Sequence, residues 1–414
     1  MACLILPWGW LRMRTNFNAQ LLATSRGARA NEILRSCVHC GFCNATCPTY
    51  QLTGDELDGP RGRIYLINEL LENGSNQQRA QQHLDRCLTC RACETTCPSG
   101  VAYGELADIA RAQLGPQRNG VAGLLRSALQ WVVPYPSRMR PLVRLGRWFR
   151  WMLPKRLSDH LPGAVGRPVL TQAPLSSGRQ GPRVLLLNGC AQQVNTAETN
   201  QHLARLLVEH GVEVTTVRDE TCCGSLDLHL GDHERGLHFA RNNTDVLYPM
   251  LEQVDAIVSS ASGCGVTLKE MGQLLVDDAA YAHKASAVSA KTKDVSEYLA
   301  DCGITFTASR SERRVAWHAP CSLQHGQKIT NVVENLLGGA GYELVTVRDS
   351  HLCCGSAGTY SVLQPQLSDR LKTDKIQALS ADAPEVIATA NVGCQTHLNS
   401  GSDIEVLHWI ELLK

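Results

Sequence analysis

The sequence has no uncharged apolar run that approaches the roughly 18 residues needed to cross a bilayer, so we expect a soluble or peripheral protein. The first ten residues, MACLILPWGW, are apolar but lack the basic start and the cleavage site of a secretory signal peptide. No G-x-G-x-x-G fingerprint is present, which argues against a flavin or nicotinamide site in this chain. We therefore expect a cytoplasmic protein, with residues 1–30 as an N-terminal extension and Cys3 as an incidental thiol.

Acidic residues are missing from one internal stretch. Between Ile109 and Ser158 there are ten Lys or Arg residues and no Asp or Glu, although the net charge of the chain is only +1. Within it, RMRPLVRLGRWFRWMLPKRL predicts a helix with one basic stripe and one apolar stripe. The basic stripe comprises Arg140, Arg144, Arg147 and Arg150, and the apolar stripe comprises Leu142, Leu145, Phe149 and Met152, with Trp148 and Trp151 beside them. Such a helix fits either a membrane interface with anionic lipid or the surface of another subunit, and no nucleic-acid recognition motif accompanies the charge.

Cysteine, in contrast, is abundant. A chain of 414 residues can bury a sizeable core without covalent staples, so its 18 cysteines favour metal binding over a disulfide scaffold. Two runs, CVHCGFCNATCP and CLTCRACETTCP, both fit C-x2-C-x2-C-x3-C-P. This pattern is typical of ferredoxins, in which three close cysteines bind one four-iron cluster and the fourth binds the other. Zinc sites rarely have this spacing.

The motif therefore predicts two 4Fe-4S clusters. The ligands of the first are Cys37, Cys40, Cys43 and Cys97, and those of the second are Cys87, Cys90, Cys93 and Cys47. Between the two runs, apolar residues from Ile64 to Leu71 recur at helical spacing, which indicates a helical domain. Two clusters in one small domain can carry single electrons.

The second half of the sequence contains an internal repeat. RVLLLNGC at 183–190 pairs with RVAWHAPC at 314–321, and both copies continue to a Cys-Cys-Gly motif and then to a single cysteine. The first copy contains Cys190, Cys222, Cys223 and Cys264, and the second contains Cys321, Cys353, Cys354 and Cys394. Short β-branched runs alternate with helix-like stretches, so each copy predicts a small α/β domain with a mainly parallel sheet. The cysteines follow the strand-like runs, where open α/β sheets place their ligand sites.

These motifs resemble a family of iron-sulfur proteins that includes the iron-sulfur subunit of bacterial glycolate oxidase, the lactate-utilisation iron-sulfur protein and heterodisulfide reductase subunits. CVHCGFC, GDELDGPRGRIYLI, HLDRCLTC, DSHLCCGSAGTY and NVGCQTHL are closest to the glycolate oxidase members. The resemblance implies a non-catalytic electron-transfer subunit. Partner subunits that contain FAD would oxidise glycolate to glyoxylate, and electrons would pass through this chain toward a membrane acceptor such as quinone.

The resemblance also implies a further iron-sulfur centre in each repeat. Heterodisulfide reductase-like repeats end in C-x2-C, whereas the second of these positions is occupied here by Thr267 and His397. Four thiols per copy remain compatible with a cluster, a tetrahedral zinc, redox-active thiols or unliganded buried cysteines. His397 is a candidate ligand, whereas His318, His325 and His351 are expected to support the site through hydrogen bonds. Cys302 has no counterpart and is expected to be a packing residue.

The sequence thus predicts an α+β multidomain protein. A helical ferredoxin-like domain with two 4Fe-4S clusters occupies residues 31–108, a basic helical segment with a linker occupies 109–182, and two cysteine-rich α/β repeats occupy 183–313 and 314–414. The predicted function is electron transfer in a glycolate oxidase complex, peripheral on the cytoplasmic face of the inner membrane. The alternatives are a thiol-disulfide or heterodisulfide reductase-like enzyme, and the iron-sulfur subunit of a related 2-hydroxy-acid dehydrogenase such as one for lactate.

Overall fold

The structure is a computed structural model that describes residues 13–153, 158, 161, 165–170, 175 and 181–414. Residues 1–12 with Cys3, and most of the linker predicted at 161–182, lie outside the described residues. The chain divides into two compact units. The first comprises the described residues up to Gln117 together with Leu228–Asp232, and the second comprises Arg118–Asp227 and His233–Lys414.

Among the described residues up to Gln117, the regular secondary structure is helical. The predicted helix between the two cysteine runs extends over Pro60–Asn73, with a proline in its first turn and Gly74 in the left-handed conformation at its end. Its buried face includes Ile64, Ile67 and Leu70, which pack into the core of this unit. The other helices are Ala19–Leu22, Ser25–Ser36, Phe42–Ala45, Pro48–Thr53, Gln77–Asp85, Ala92–Thr96 and Tyr103–Leu114, with a 3-10 turn at Glu56–Asp58.

The second unit contains two four-stranded sheets in which every pairing between strands is parallel, as the repeat predicts. The strands are β1 Arg183–Leu186, β2 Glu213–Thr215, β3 Ala256–Ser259, β4 Thr292–Asp294, β5 Arg314–His318, β6 Glu343–Leu344, β7 Val386–Thr389 and β8 Val406–His408. Their orders are β2-β1-β3-β4 and β6-β5-β7-β8. The two sequence copies therefore have the same topology.

Helices cover the sheets because the strands are apolar on both faces, as in β3, whose four residues are all buried. In the first repeat the helices are Gln192–Asn195, Ala197–Glu209, Ser225–His229, His233–Leu247, Ser262–Lys269, Met271–Leu274, Ala282–Lys291 and Val295–Asp301, with a 3-10 turn at Tyr248–Met250. In the second they are Val332–Gly339, Tyr360–Leu363, Pro365–Ser380 and Val392–Asn399, with a π-helical turn at Ser322–Gly326 and a 3-10 turn at Trp409–Leu412.

The two repeats share one hydrophobic core and are joined by buried polar contacts. Val184 of the first sheet and Val386 of the second belong to the same apolar cluster. Ser262 Oγ and Ser322 Oγ are 2.8 Å apart, and His408 Nε2 donates to the Ser260 carbonyl at 2.9 Å. The predicted boundary at residue 313 therefore separates two sequence repeats within one compact unit.

The basic segment forms helices Gly120–Val132 and Pro136–Trp148, followed by a 3-10 turn at Arg150–Met152. The predicted boundary at residue 108 falls inside the helix Tyr103–Leu114, because that helix continues to pack Ala110 into the core of the first unit. No helix in the described part of the chain is both long and apolar enough to span a membrane.

Candidate metal centres

One cavity in the first unit is surrounded by the cysteines predicted to bind the first cluster. Its lining includes Cys37, Cys40, Cys43 and Cys97, and also Cys93 of the other predicted group. Cys97 comes from the second cysteine run, so the structure brings the fourth cysteine of one run to the first three of the other. Burial and the charges of Cys37 and Cys97 raise the pKa of the Cys43 thiol to about 11.

The remaining four cysteines of the two runs also influence one another. Burial, followed by the charges of Cys90, Cys87 and Cys47, raises the pKa of the Cys93 thiol well above its usual value. Cys47 therefore lies with the second run, although it is the last cysteine of the first. These proximities support the crossed ligand assignment, which stays a prediction.

The two ligand loops have the same local backbone. His39 and Gly41 in the first run have φ values of 53° and 83°, and Thr89 and Arg91 in the second have 52° and 59°. Left-handed conformations are unfavourable for residues other than glycine and concentrate at functional sites. In both loops they turn consecutive cysteines toward one point, and Pro48 then begins a helix directly after Cys47.

The donor set fits an iron-sulfur cluster. None of the described cysteines forms a disulfide. Burial and mutual repulsion keep thiols such as Cys43 and Cys93 protonated in the absence of a cation, whereas a soft metal stabilises the thiolates. Grouped and unbridged thiols of this kind, with Cys37, Cys47 and Cys93 buried, are suited to hold metal.

A buried arginine supports the second group of cysteines, and sequence patterns did not identify it. Arg63 is 1% exposed; its Nη1 lies 3.9 Å from Cys47 Sγ and its Nη2 donates to Thr49 Oγ1 at 3.1 Å. The fully buried Asp58 lies 3.7 Å from Arg63 Nη2 and accepts from His83 Nδ1 at 2.7 Å. The guanidinium thus places a positive charge beside sulfurs that become negative on binding metal.

A tyrosine hydroxyl contributes a second polar contact to this group. Tyr103 donates from its hydroxyl to Cys87 Sγ at 3.7 Å. Tyr103 begins the helix Tyr103–Leu114, which follows the second cysteine run directly. Its only sequence signal is an aromatic residue shortly after the C-P ending of the second motif.

In the second unit, the four cysteines of each repeat motif follow the carboxyl ends of parallel strands. In the first repeat Cys190 Sγ and Cys222 Sγ are 3.5 Å apart. Contacts with Cys190 and Cys223, and burial, raise the pKa of Cys222 well above its usual value. Cys223 in turn contacts Cys264, so the four thiols form one continuous group.

Two polar side chains lie close to the cysteines of the first repeat. Thr267, which stands where related repeats have a fifth cysteine, hydrogen-bonds the Cys223 sulfur. The buried Glu220 carboxylate accepts from the backbone N–H groups of Asn188 and Gly189 at 2.8 and 3.0 Å. Burial raises the pKa of Glu220 to about 8.

The second repeat brings its four cysteines together in the same way. Cys353 contacts Cys321 and Cys354, and Cys354 contacts Cys394. The hydrogen bond with Cys321 lowers the pKa of Cys353, but the contact with Cys354 and burial raise it further, to about 12. The buried ammonium of Lys375 interacts with three of these thiols.

The glycine after each cysteine doublet is required by the backbone. Gly224 and Gly355 have φ values of 89° and 88°. A Cβ atom on Gly355 would lie 2.7 Å from the Ser368 carbonyl oxygen, and one on Gly224 would lie 2.9 Å from that of Gly236. Only glycine combines this φ with such close approach to the neighbouring helix, so the helix can pack directly behind the two thiols.

The histidines of the second repeat differ in their surroundings. His325 Nε2 donates to the His351 carbonyl oxygen at 3.0 Å, in agreement with a supporting role. His397 Nε2 lies 3.1 Å from Ser368 Oγ, and its role as a ligand stays a prediction. His318 differs from the expectation of a hydrogen-bonding role, because neither of its ring nitrogens has a hydrogen-bond partner in the part of the chain that the structure describes. Cys302 packs against the shared core, as predicted.

Two family profiles match the chain. The family profile described as "4Fe-4S dicluster domain" matches residues 33–101, and the one described as "Cysteine-rich domain" matches residues 184–269 and 315–399. Fold and sites together define an iron-sulfur protein with an N-terminal cluster domain and two cysteine-rich repeats.

Two curated relatives identify the family. The chain is 46% identical to the glycolate oxidase iron-sulfur subunit of Escherichia coli K12, over 97% of this chain and 98% of that protein. It is 30% identical to the probable glycolate oxidase iron-sulfur subunit of Bacillus subtilis 168, over 90% of each. The chain therefore belongs to the family of glycolate oxidase iron-sulfur subunits.

A solved structure shares the fold. The crystal structure of a hypothetical protein from Helicobacter pylori superposes with a TM-score of 0.53 at 8% identity, over 94% of this chain and 71% of that one. At this identity the likeness concerns the fold alone.

Proposed function

We propose that the chain transfers electrons through two 4Fe-4S clusters as the iron-sulfur subunit of a glycolate oxidase complex. The first cluster is held by Cys37, Cys40, Cys43 and Cys97, and the second by Cys87, Cys90, Cys93 and Cys47. The arrangement of Cys37, Cys40, Cys43 and Cys97 around one cavity carries the proposal. Such clusters supply one-electron transfer, and the thiols of this chain bind and orient them.

The crossed ligand assignment can be tested by pairing alanine variants and measuring iron and acid-labile sulfide after anaerobic purification. Cys37→Ala with Cys97→Ala removes two ligands of one cluster, so we expect a loss of about four iron atoms per chain. Cys37→Ala with Cys47→Ala removes one ligand from each cluster and should lose about eight. The reverse order of losses would show that each run binds its own cluster. Cys302→Ala is the matched control and should keep all iron.

The family suggests which partner subunits the chain has. The relatives are named as subunits of glycolate oxidase, so we propose that flavin-containing subunits oxidise glycolate to glyoxylate and deliver electrons to this chain. The chain then passes the electrons to a quinone-type membrane acceptor. Copurification of a tagged chain with flavin-containing subunits, and rapid reduction of its visible absorbance by glycolate only in their presence, are the expected results. Reduction of the isolated chain by glycolate would contradict this division of roles.

We further propose that the basic segment binds the membrane surface. Trp148 and Trp151 are 84% and 81% exposed at the end of the helix Pro136–Trp148. Arg144, Arg147 and Arg150 are exposed beside them, so indole rings and positive charge face the same solvent region. This combination is complementary to anionic lipid headgroups.

Vesicle sedimentation tests this contact. The purified chain should sediment with vesicles that contain anionic lipid and not with neutral ones, and added salt should release it. Changing Arg144, Arg147 and Arg150 to glutamate should abolish sedimentation, whereas the same change at Arg167, Arg205 and Arg218, elsewhere in the chain, should not. Unchanged sedimentation of the first variant would refute membrane binding by this segment.

Each cysteine-rich repeat is proposed to hold a further metal centre. Four thiols meet in each copy. The pKa values of Cys222, Cys353 and Cys354 are raised, whereas contacts with Cys222 and Cys264 lower that of Cys223, so the first group combines thiols with a site where a thiolate is stabilised. Changing both Cys353 and Cys354 to serine should lower the metal content of the chain by one centre, with iron and zinc measured together. Unchanged metal content would exclude a centre in the second repeat.

A further inference from the structure

The second repeat contains a buried imidazole for which the fold supplies no hydrogen bond. His318 ends strand β5, is 1% exposed and has no partner for either Nδ1 or Nε2 among the described residues. Burial of an unpaired polar group costs free energy, and such groups in folded proteins call for a specific explanation. His408 is equally buried, yet its Nε2 donates to Ser260 and its Nδ1 accepts from Ile410. The unpaired ring is therefore a property of His318 and not of buried histidines in this fold.

The unpaired nitrogen faces sulfur ligands. A ring nitrogen of His318 and the Sγ atoms of Cys354 and Cys394 all lie within 4.8 Å of one another. Thiolate and neutral imidazole are the ligands that zinc and iron take together, including in clusters where histidine replaces cysteine on iron. These three side chains come from three separate segments of the second repeat, so the fold itself creates the donor set.

The first repeat has no equivalent donor. His318 lies three residues before Cys321, and the residue three before Cys190 is Leu187. Leu187 is buried in the apolar cluster of the first repeat. The two copies thus keep the same four cysteines, but only the second adds a nitrogen at the carboxyl end of its first strand.

We propose that His318 is a direct ligand of the metal centre in the second repeat, together with Cys354 and Cys394. The inference rests on the proposed binding of metal by this repeat and deepens it: the centre of the second repeat has mixed sulfur and nitrogen ligation, whereas that of the first has sulfur ligation. His318, and not His397, compensates for the missing fifth cysteine. The nitrogen of His397 lies instead against Ser368 Oγ, at 3.1 Å.

The full chain, purified anaerobically with either ¹⁴N- or ¹⁵N-labelled histidine, gives a direct test. For iron, pulsed electron paramagnetic resonance should detect a histidine nitrogen coupled to a paramagnetic centre, and the coupling should change with the isotope. For zinc, X-ray absorption at the zinc edge should require one nitrogen in the first coordination shell. Either signal should disappear in His318→Leu, which copies the residue of the first repeat, and persist in the control His397→Gln. Loss of the metal to a chelator should be at least about tenfold faster in His318→Leu.

His318→Cys provides a second variant in case the leucine variant fails to fold. It should retain the metal and lose the nitrogen signal, because a thiolate can replace the imidazole. A nitrogen signal that survives in either His318 variant, or that disappears only in His397→Gln, would overturn the proposal. If the Cys353 and Cys354 variant shows that the repeat holds no metal, the proposed function of the repeat fails as well. If that metal is present and carries no nitrogen, only the ligation by His318 fails.

Discussion

The link between His408 and Ser260 predicts a pH-dependent loss of stability. His408 Nε2 donates to the Ser260 carbonyl oxygen at 2.9 Å, and its Nδ1 accepts from the Ile410 N–H at 3.3 Å. Both nitrogens of the neutral ring are therefore satisfied. Protonation would place a second N–H against that of Ile410, in a site that excludes water. Burial accordingly lowers the pKa of His408 from 6.5 to about 4, although the bond to Ser260 opposes the shift.

The folded protein binds this proton less tightly than the unfolded chain does, so stability is highest above about pH 6.5 and falls as the pH drops toward about 4. The shift corresponds to about 3 kcal/mol once the pH is below both pKa values, and to about 2 kcal/mol at about pH 5. Because Ser260 belongs to the first repeat and His408 to the second, this loss weakens the junction between the repeats.

Urea unfolding followed by pulse proteolysis can measure this effect. The free energy of unfolding is compared at about pH 7.5 and about pH 5 for the wild type and for His408→Gln, whose amide can still donate to Ser260. We expect the wild type to lose about 2 kcal/mol more than the variant over this interval. The exposed His283→Gln is the control and should behave as the wild type. Equal losses in the wild type and in His408→Gln would refute the reasoning.

Three further changes probe the sites. Gly355→Ala places an alanine at a left-handed φ and in a clash with Ser368, so it should lower the free energy of unfolding in urea by at least about 2 kcal/mol. Gly358 also has a left-handed φ but open space around it, so Gly358→Ala should lower the free energy of unfolding by only about 1 kcal/mol. Tyr103→Phe removes the hydrogen-bond donor to Cys87 and should lower the reduction potential of the second cluster in a redox titration. Tyr65 is exposed, so the control Tyr65→Phe should leave that potential unchanged. Asp294→Ala removes the capping box of Val295–Asp301 and should cost about 1–2 kcal/mol in the same unfolding assay, whereas Asp294→Asn should cost less.

The parts of the fold that could be predicted depend on short sequence patterns and on general rules of chain topology. The helix Pro60–Asn73 follows from its 3.6-residue pattern and its terminal proline and glycine, which act over a few residues. The parallel sheets follow from strands separated by helices, a connection that requires a crossover. The grouping of cysteines at strand ends follows from that topology, because parallel strands place their carboxyl ends at one edge.

The surroundings of the sulfurs could not be predicted because they depend on packing between distant segments. Arg63 and Lys375 stand on helices whose rotation about their axes is set by the core, and no motif marks them. His397 stands three residues after Cys394, so the sequence spacing favoured it as the candidate metal ligand. In the fold, however, the imidazole of His397 contacts Ser368, whereas a ring nitrogen of His318, at the end of strand β5, lies within 4.8 Å of Cys394 Sγ.

The two repeats have the same backbone arrangement around their four cysteines and differ in the charge of the side chains behind the thiols. The glycines after the doublets contact Gly236 and Ser368 in corresponding helices, and seven residues further on these helices carry Asn243 and Lys375. Asn243 uses its amide to donate to the Cys222 carbonyl oxygen at 2.8 Å, whereas the Lys375 ammonium adds a positive charge beside Cys321, Cys353 and Cys354. A positive charge stabilises the more negative state of any bound centre. The two repeats therefore keep the residues that assemble four thiols and differ in the side chain behind them, which is a neutral amide in the first repeat and an ammonium in the second.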